Sequence, residues 1–183
     1  MIITKTGVKH LHHAAVLNFD VGIYFEANGH GTVVFGPKFY RECATHPVLS
    51  KVARLINPAV GDAISDFLLV DAILQAERWT LGNWNALYQD LPSRQLKVAV
   101  KDRSIVKCND NETKCVAPAS LQPALEALMT PKDYRCFVRA SGTENVVRVY
   151  AEAPSRDEAD KLASAAARLV QEHCGGIEPL SSI

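Results

Sequence analysis

The sequence has no excess of charge of either sign. Lysine plus arginine and aspartate plus glutamate number 20 each, which gives a formal net charge of zero at pH 7. A chain with this balance has no overall field that would attract nucleic acid or an anionic membrane. We therefore expect neither as a partner, and any site for an anion has to be built locally.

Cysteine is scarce and scattered, and long apolar runs are absent. No C-x-x-C pair occurs among the five cysteines, Cys43, Cys108, Cys115, Cys136 and Cys174. This pattern argues against a disulfide framework or structural zinc and favours a reducing compartment. The N-terminus MIITKTGVKHLHH has no apolar core of a secretory signal, and no run is long enough to cross a bilayer. We expect a soluble, cytoplasmic protein.

The first half of the sequence alternates between helical and strand-like patterns. Thr6 suits the N-cap of a first helix, and residues 21–27 and 32–35 predict a hairpin across NGHG. A helical region interrupted at Pro47 follows. Residues 61–77 then predict a long helix, whose apolar stripe consists of Ile64, Phe67, Leu68 and Ile73.

The regular spacing of apolar residues is lost over residues 82–95. We place a domain boundary there, between domains 1–88 and 89–183. Beyond it, the sequence predicts short strands at 96–101, 104–108, 135–140 and 145–153. Helices are predicted at 120–129 and 155–174, and the second has a capping-box pattern at its start and Gly175-Gly176 at its end. This half is predicted to be a small α+β domain with an antiparallel sheet and helices on one face.

A short polar loop, RASGTEN, stands between the last two predicted strands. A hairpin centred near residue 143 would bring Arg139 and Arg148 within a few residues of register. Gly142 can take a positive φ that turns successive N–H groups into one concavity, and the Ser141 and Thr143 hydroxyls add donors. Two guanidinium groups with these donors match the needs of a phosphate dianion. The alternative is a surface hairpin with two solvated arginines.

The stretch RASGTENVVRVYAEA resembles the C-terminal phosphate-binding loop of the α-D-phosphohexomutases, whose usual form is Arg-x-Ser-Gly-Thr-Glu-Pro. TKTGVKHLHH and VGIYFEANGHGTVVF are similar to one branch of that superfamily, the phosphoacetylglucosamine mutases. Asn145 stands where proline is usual, and that branch often carries a polar residue there. The resemblance extends from about Thr4 to the end of the last predicted helix.

The resemblance implies a fold of four domains that share one cleft. This chain matches the later part of the third domain, of the α/β class, followed by the whole C-terminal α+β domain. Phosphate binding is then implied for Arg139, Ala140, Ser141, Gly142, Thr143 and Arg148. Reading of the sugar hydroxyls is implied for Glu26, Ala27 and Asn28. Positions near the substrate are implied for Lys9, His10 and His30.

Taken without the resemblance, Asn28-Gly29 reads as an ordinary hairpin turn. The histidines of KHLHH raise a second alternative, a zinc site, because His10 and His13 would share a helical face. No carboxylate or cysteine stands at a ligand spacing nearby, so no metal site is predicted in this chain.

Two segments of the family are not found in the sequence: the nucleophile segment, Thr-Ala-Ser-His-Asn in type, and the Asp-Gly-Asp-x-Asp-Arg metal segment. No catalytic residue is therefore assigned in this chain. We expect the sequence to be a truncated gene model, a fragment of a longer chain, or a protein that has lost its catalytic half.

The resemblance implies interconversion of N-acetylglucosamine 6-phosphate and 1-phosphate for UDP-N-acetylglucosamine synthesis. A sugar bisphosphate would be the intermediate, and Mg²⁺ would be held upstream of this chain. We expect a phosphorylated amino sugar as partner, a monomer when full length, and no turnover by the isolated chain. The alternative is a non-catalytic phosphosugar-binding or regulatory module; another hexose mutase is disfavoured by FEANGHG.

Overall fold

The computed structural model describes residues 1–26, 28–57, 61–130 and 133–177. The chain divides into two compact units, Met1–Gln89 and Asp90–Ile183, called unit 1 and unit 2 below. Ala27, one of the three residues expected to read the sugar, lies outside the described residues.

Unit 1 combines helices with a two-stranded antiparallel hairpin. Its described elements are α1 (Val8–Asn18), β1 (Val21–Phe25), β2 (Gly31–Phe35), α2 (Pro37–Cys43), α3 (Leu49–Leu55), α4 (Ala63–Glu77) and α5 (Leu81–Asn85). Helix α1 packs closely on β1, because a Cβ on Gly22 would lie only 2.8 Å from the Cβ of Ala15. The helix and both strands of the hairpin share a small core that contains Ala15, Tyr24 and Val34.

One prediction for unit 1 is wrong. The N-cap of α1 is Gly7 rather than Thr6, and no side-chain hydrogen bond caps the helix there. The helix predicted over 61–77 is present as α4, and its apolar stripe is largely exposed, since Ile64 is 71% and Phe67 69% exposed. The spacing of apolar residues predicts which face of a helix needs a partner, but it does not supply that partner.

Unit 2 contains a three-stranded antiparallel sheet and a small two-stranded sheet. Its described elements are β3 (Ser93–Ala99), a 3₁₀ turn (Arg103–Ile105), β4 (Lys107–Cys108), β5 (Cys115–Ala117), α6 (Leu121–Leu128), β6 (Arg135–Ala140), β7 (Val146–Glu152) and α7 (Arg156–Cys174). The strand predicted over 104–108 is mostly wrong, because the Asp102 carboxylate accepts from the Ser104 N–H at 2.8 Å and holds a turn there.

The larger sheet has the order β3-β7-β6, so β7 is its central strand. Along β7, Val147, Val149 and Ala151 are buried, and the residues between them are half-buried. The buried residues join one core with Leu125 of α6 and Leu162 of α7. The helices therefore pack on one face of the sheet, as predicted for an α+β domain, and the opposite face carries the polar residues.

The predicted limits of the last helix are confirmed by α7. The Ser155 hydroxyl accepts from the Glu158 N–H at 3.3 Å and donates to the Glu158 carboxylate at 2.7 Å. At the other end, Gly175 takes a left-handed φ of +68° and donates its N–H to the Gln171 carbonyl. The capping box and the terminal glycine each involve residues that are close in sequence, which is why the sequence predicts them.

Across the described ranges, none of the helices combines the length and the apolar character needed to cross a membrane.

Candidate functional site

The two arginines of the candidate phosphate loop lie directly opposite each other. Arg139 on β6 pairs with Arg148 on β7 in the antiparallel register. Their strand neighbours Val138 and Val149 are buried under the helices, so both arginines lie on the polar face of the sheet. Side chains that are directly opposed have Cβ atoms about 4.5–5.5 Å apart. Two guanidinium groups therefore lie together beside the loop that joins these strands.

Ser141 organises that loop from within. It is only 4% exposed, and its Oγ accepts from the N–H groups of Thr143 and Glu144, each at 3.4 Å. Its own N–H donates to the Val146 carbonyl at 2.9 Å. A hydroxyl that accepts twice still has its hydrogen to donate. Ser141 therefore shapes the loop, and two of the loop amides point at its oxygen.

Gly142 differs from the prediction. Its φ does not lie in the positive range expected for a nest of N–H groups. A Cβ built on it would meet nothing within 4 Å. Within the described part of the chain, its N–H has no hydrogen-bond partner. What glycine provides here is an open approach to the backbone and an available donor.

A third cation, Lys97, was missed by the sequence reasoning. Lys97 on β3 pairs with Arg148 on the other side of β7, so Lys97, Arg148 and Arg139 form a row across three strands. The alternation in LKVAVK does assign Lys97 to the polar face of its strand. The strand order that brings it to the site is not readable from the sequence.

Glu144 is in contact with the cations that flank the loop. Its Oε2 lies 3.4 Å from the Lys97 Nζ and 3.9 Å from an Arg148 terminal nitrogen. Its backbone carbonyl accepts from Arg103 Nη1 at 3.1 Å. The carboxylate in this loop is therefore balanced by cations on two strands, and the loop backbone is tied to the 3₁₀ turn.

Cys108 lies against the backbone of the strand that carries Arg139. Its thiol donates to the Val138 carbonyl at 3.2 Å. Burial raises the pKa of the Cys108 thiol to about 11, with Cys115 and Glu112 adding to the shift and Arg139 opposing it. The thiol is thus protonated at neutral pH, and it acts as a packing group rather than as a nucleophile.

The candidate sugar-reading residues also contact each other. Glu26 Oε1 accepts from the Gly7 N–H at 3.2 Å, and its Oε2 accepts from Asn28 Nδ2 at 3.4 Å. The Asn28 Oδ1 accepts from the His30 N–H at 2.8 Å. The hairpin tip is therefore tied to the start of α1 by Gly7, which the sequence reasoning did not select.

Glycine occurs at two positions of the hairpin tip, for two different reasons. Gly29 has a positive φ of +84°, which follows the expected Asn-Gly turn chemistry. At Gly31, a Cβ would stand 2.1 Å from the Tyr24 carbonyl oxygen of the facing strand. Gly31 is thus required by the close approach of two backbones.

The histidines of KHLHH divide between different surroundings. Lys9 and His10 lie in the first turn of α1, which begins at Val8 after the N-cap Gly7. His12 Nδ1 lies 2.8 Å from the Tyr24 hydroxyl, and the two rings meet edge to face. Burial, and secondly the Asp66 carboxylate, raise the pKa of that tyrosine. His12 therefore belongs to the packing of α1 on the hairpin.

Among the described residues, no group of three or more His, Cys, Asp or Glu side chains is arranged to hold a metal ion. The donor set that Mg²⁺ requires, carboxylate and carbonyl oxygens in octahedral geometry, is therefore not supplied by the described part of this chain.

Comparison with protein families gives two consecutive matches. Residues 1–79 match "Phosphoacetylglucosamine mutase AMG1, domain III", and residues 97–169 match "Phosphoglucomutase/phosphomannomutase, C-terminal domain". The second match contains the phosphate loop, and the first contains the hairpin with Glu26 and Asn28.

Curated relatives match nearly the whole chain. The phosphoacetylglucosamine mutase of Arabidopsis thaliana is 45% identical over 196 residues, which covers 96% of this chain and 35% of the relative. The phosphoacetylglucosamine mutase of Sus scrofa is 49% identical over 187 residues, covering 95% of this chain and 34% of the relative. The chain thus spans about a third of the length of the curated relatives it matches.

Solved structures agree. A crystal structure of Aspergillus fumigatus N-acetylphosphoglucosamine mutase in complex with GlcNAc-6P and magnesium matches with a TM-score of 0.87 and 51% identity, over 93% of this chain and 34% of that one. An N-acetylglucosamine-phosphate mutase in its substrate complex matches with a TM-score of 0.85 and 44% identity, over 91% and 33%. The predicted phosphohexomutase fold is confirmed. The chain belongs to the phosphoacetylglucosamine mutases of the α-D-phosphohexomutase superfamily, and it corresponds to the C-terminal part of the proteins in that family.

Proposed function

We propose that this chain supplies phosphate and sugar recognition to a phosphoacetylglucosamine mutase, which interconverts N-acetylglucosamine 6-phosphate and N-acetylglucosamine 1-phosphate. The observation that carries the proposal is the direct pairing of Arg139 with Arg148 beside the Ser141–Thr143 loop. The family membership supports the reaction, and the relatives give the class of substrate. The proposal places the reaction in UDP-N-acetylglucosamine biosynthesis, in the cytoplasm.

The phosphate loop would hold the phosphate that does not react. Each guanidinium presents a planar set of N–H donors that matches two phosphate oxygens, which a lysine ammonium cannot do. The Gly142 N–H is available for a further oxygen, and the Thr143 hydroxyl adds another donor. The role is to position the substrate, and positioning contributes a large part of the rate of a phosphoryl transfer.

The hairpin tip of unit 1 would read the hydroxyls of the sugar. The Glu26 carboxylate accepts hydrogen bonds, and the Asn28 carboxamide both donates and accepts. Gly7 and Asn28 already fix the Glu26 side chain. A carboxylate that is fixed before the ligand arrives loses less conformational entropy on binding.

Magnesium, which is named with the Aspergillus structure, would offset negative charge during the transfer. The described residues of this chain do not fit the ion, so no step is assigned to it here. The nucleophile is likewise not assigned. The chain's own contribution is binding and orientation of a phosphorylated amino sugar.

A titration tests this proposal with the 183-residue chain and N-acetylglucosamine 6-phosphate, followed by ¹⁵N amide shifts so that weak binding is measurable. Arg139→Ala and Arg148→Ala should each lose about 2–4 kcal/mol of binding free energy, because charge-assisted hydrogen bonds are lost. That loss corresponds to roughly a 30- to 1000-fold rise in Kd. Arg168→Ala, at an exposed position of α7, is the matched control and should bind as the wild type does.

The outcomes are distinct. Shifts that include residues 139–148 and are lost in both arginine variants support the phosphate site, and shifts of Glu26 and Asn28 support the sugar-reading hairpin. Unchanged affinity in both variants would make RASGTEN an ordinary hairpin turn, and no binding by the wild type would reject the phosphate site altogether.

A second candidate function is a non-catalytic phosphosugar-binding module. The nucleophile and metal segments do not occur in these 183 residues, and this would favour the second candidate only if no longer chain carried them. Both candidates share the binding site described above, and only the first includes turnover of the sugar phosphate in the presence of Mg²⁺ and the sugar bisphosphate.

A further inference from the structure

We propose that Lys97 is a positioning residue of the phosphate site, which neutralises the Glu144 carboxylate so that Arg148 can bind phosphate. This inference rests on the proposed function, because it concerns the same loop. It adds Lys97 and Glu144 to the residues that determine the affinity for phosphate. Lys97 raises that affinity, and the Glu144 carboxylate lowers it.

Two cations share one carboxylate oxygen of Glu144. Lys97 Nζ and the Arg148 guanidinium both approach Oε2 of Glu144, and the lysine is the nearer, at 3.4 Å against 3.9 Å. A phosphate that binds Arg148 must compete with this carboxylate. Because the lysine can satisfy the carboxylate alone, Arg148 can turn to the phosphate without leaving Glu144 uncompensated.

A row of like charges crosses the larger sheet. Lys97, Arg148 and Arg139 are directly opposed across three neighbouring strands. Directly opposed like charges destabilise an antiparallel sheet. Glu144 offsets part of that repulsion while no ligand is bound, and a phosphate dianion offsets it when bound. The arrangement is therefore unfavourable for the fold alone and favourable for a fold that holds an anion.

Hydrogen bonds to the loop backbone keep the Glu144 carboxylate in place. Arg103 Nη1 donates to the Glu144 backbone carbonyl at 3.1 Å, and the Glu144 N–H donates to Ser141 Oγ at 3.4 Å. The loop backbone is thus held on two sides. Glu144 stays beside Lys97 when Arg148 exchanges partners, so its negative charge has to be neutralised in place.

The test is a double-mutant cycle in the full 183-residue chain, with N-acetylglucosamine 6-phosphate and, separately, inorganic phosphate as probes. Lys97→Gln should raise Kd about two- to fivefold, as expected for an exposed charge pair. Glu144→Gln should bind as tightly as the wild type or more tightly. The double variant should return to within about twofold of Glu144→Gln, because the charge that Lys97 neutralises is gone.

A second measurement separates this electrostatic role from a structural one. In a ³¹P shift titration of the bound probe, the second pKa of the phosphate should be higher in Lys97→Gln than in the wild type. The reason is that an uncompensated carboxylate nearby disfavours the dianion. Lys97→Arg should restore both the affinity and that pKa, whereas a packing defect would not be rescued by a charge of the same sign.

Two results would overturn the inference. One is a Kd in Lys97→Gln equal to that of the wild type. The other is a loss that persists undiminished in the double variant, which would mean that Lys97 contacts the phosphate itself or supports the fold. Failure of the proposed function is a different result, namely no wild-type binding, or binding that Arg139→Ala leaves unchanged.

Discussion

At the scale of single residues, substitution of Gly142 should affect phosphosugar binding without lowering the stability of the fold. A Cβ there meets nothing within 4 Å, and its φ lies outside the left-handed region. Gly142→Ala should therefore leave the unfolding free energy unchanged or raise it by up to about 1 kcal/mol, because alanine restricts the unfolded chain. The same methyl group should weaken phosphosugar binding, since it occupies the approach to the loop backbone.

Urea unfolding and a phosphosugar titration of Gly142→Ala measure the two effects separately. Equal affinity in the variant and the wild type would mean that phosphate does not approach this part of the backbone. A large loss of stability would mean that glycine is needed by the fold itself.

The residues of the site were predictable where their geometry is local. Arg139 and Arg148 are nine residues apart on one hairpin, so the turn between them determines their pairing. Lys97 reaches the same row through β3, which is distant in sequence, and no local pattern gives that pairing. Glycine permits a positive φ without requiring it, which is why the prediction for Gly142 was wrong.

At the scale of elements, α7 was predicted accurately because both of its ends carry local signals. The predicted strand over 104–108 was mostly wrong, because the Asp102 side chain stabilises a turn there. The helix α4 and its apolar stripe were predicted, but whether such a stripe is buried depends on what packs against the helix, which the spacing of apolar residues cannot give.

The N-cap of α7 allows an element-scale prediction. Ser155→Ala removes an acceptor for the Glu158 N–H and a donor to the Glu158 carboxylate, so it should destabilise the chain by about 1 kcal/mol. Ser164→Ala in the middle of the same helix is the control, because the Ser164 hydroxyl only donates to the Asp160 carbonyl. That change should be neutral or slightly stabilising. Urea unfolding measures both, and equal losses would contradict a capping role.

The pH dependence of the Ser155→Ala effect has a defined sign. Hydrogen bonding from Ser155, and secondly from Tyr134, lowers the pKa of Glu158 below its usual value. A carboxyl whose pKa is lowered by folding stabilises the fold above its unfolded pKa, and this contribution is lost as pH falls through the folded pKa. The difference in stability between wild type and variant should therefore narrow below about pH 4.

At the scale of the whole molecule, the two units differ in how much apolar surface they bury. In unit 2, one continuous core joins the sheet to α6 and α7, with Val147, Ala163 and Val170 fully buried. In unit 1, large apolar side chains are exposed, including Ile23 at 70% and Phe67 at 69%. Since burial of apolar area is the main stabilising contribution to folding, the units should differ in stability.

Hydrogen exchange tests this difference residue by residue. Amides of β7 and α7 in unit 2 should exchange slowest, through opening that approaches global unfolding, whereas amides of β1 and α4 in unit 1 should exchange through smaller local openings. The two sets should differ in protection by about tenfold or more, which corresponds to about 1.4 kcal/mol. The measurement requires dilute, monomeric protein, because exposed apolar residues promote association that would protect unit 1. Strong and equal protection of β1, α4, β7 and α7 in the monomer would contradict the prediction. Such a result would mean that helix and hairpin contacts within unit 1 compensate for the apolar surface that this unit leaves exposed.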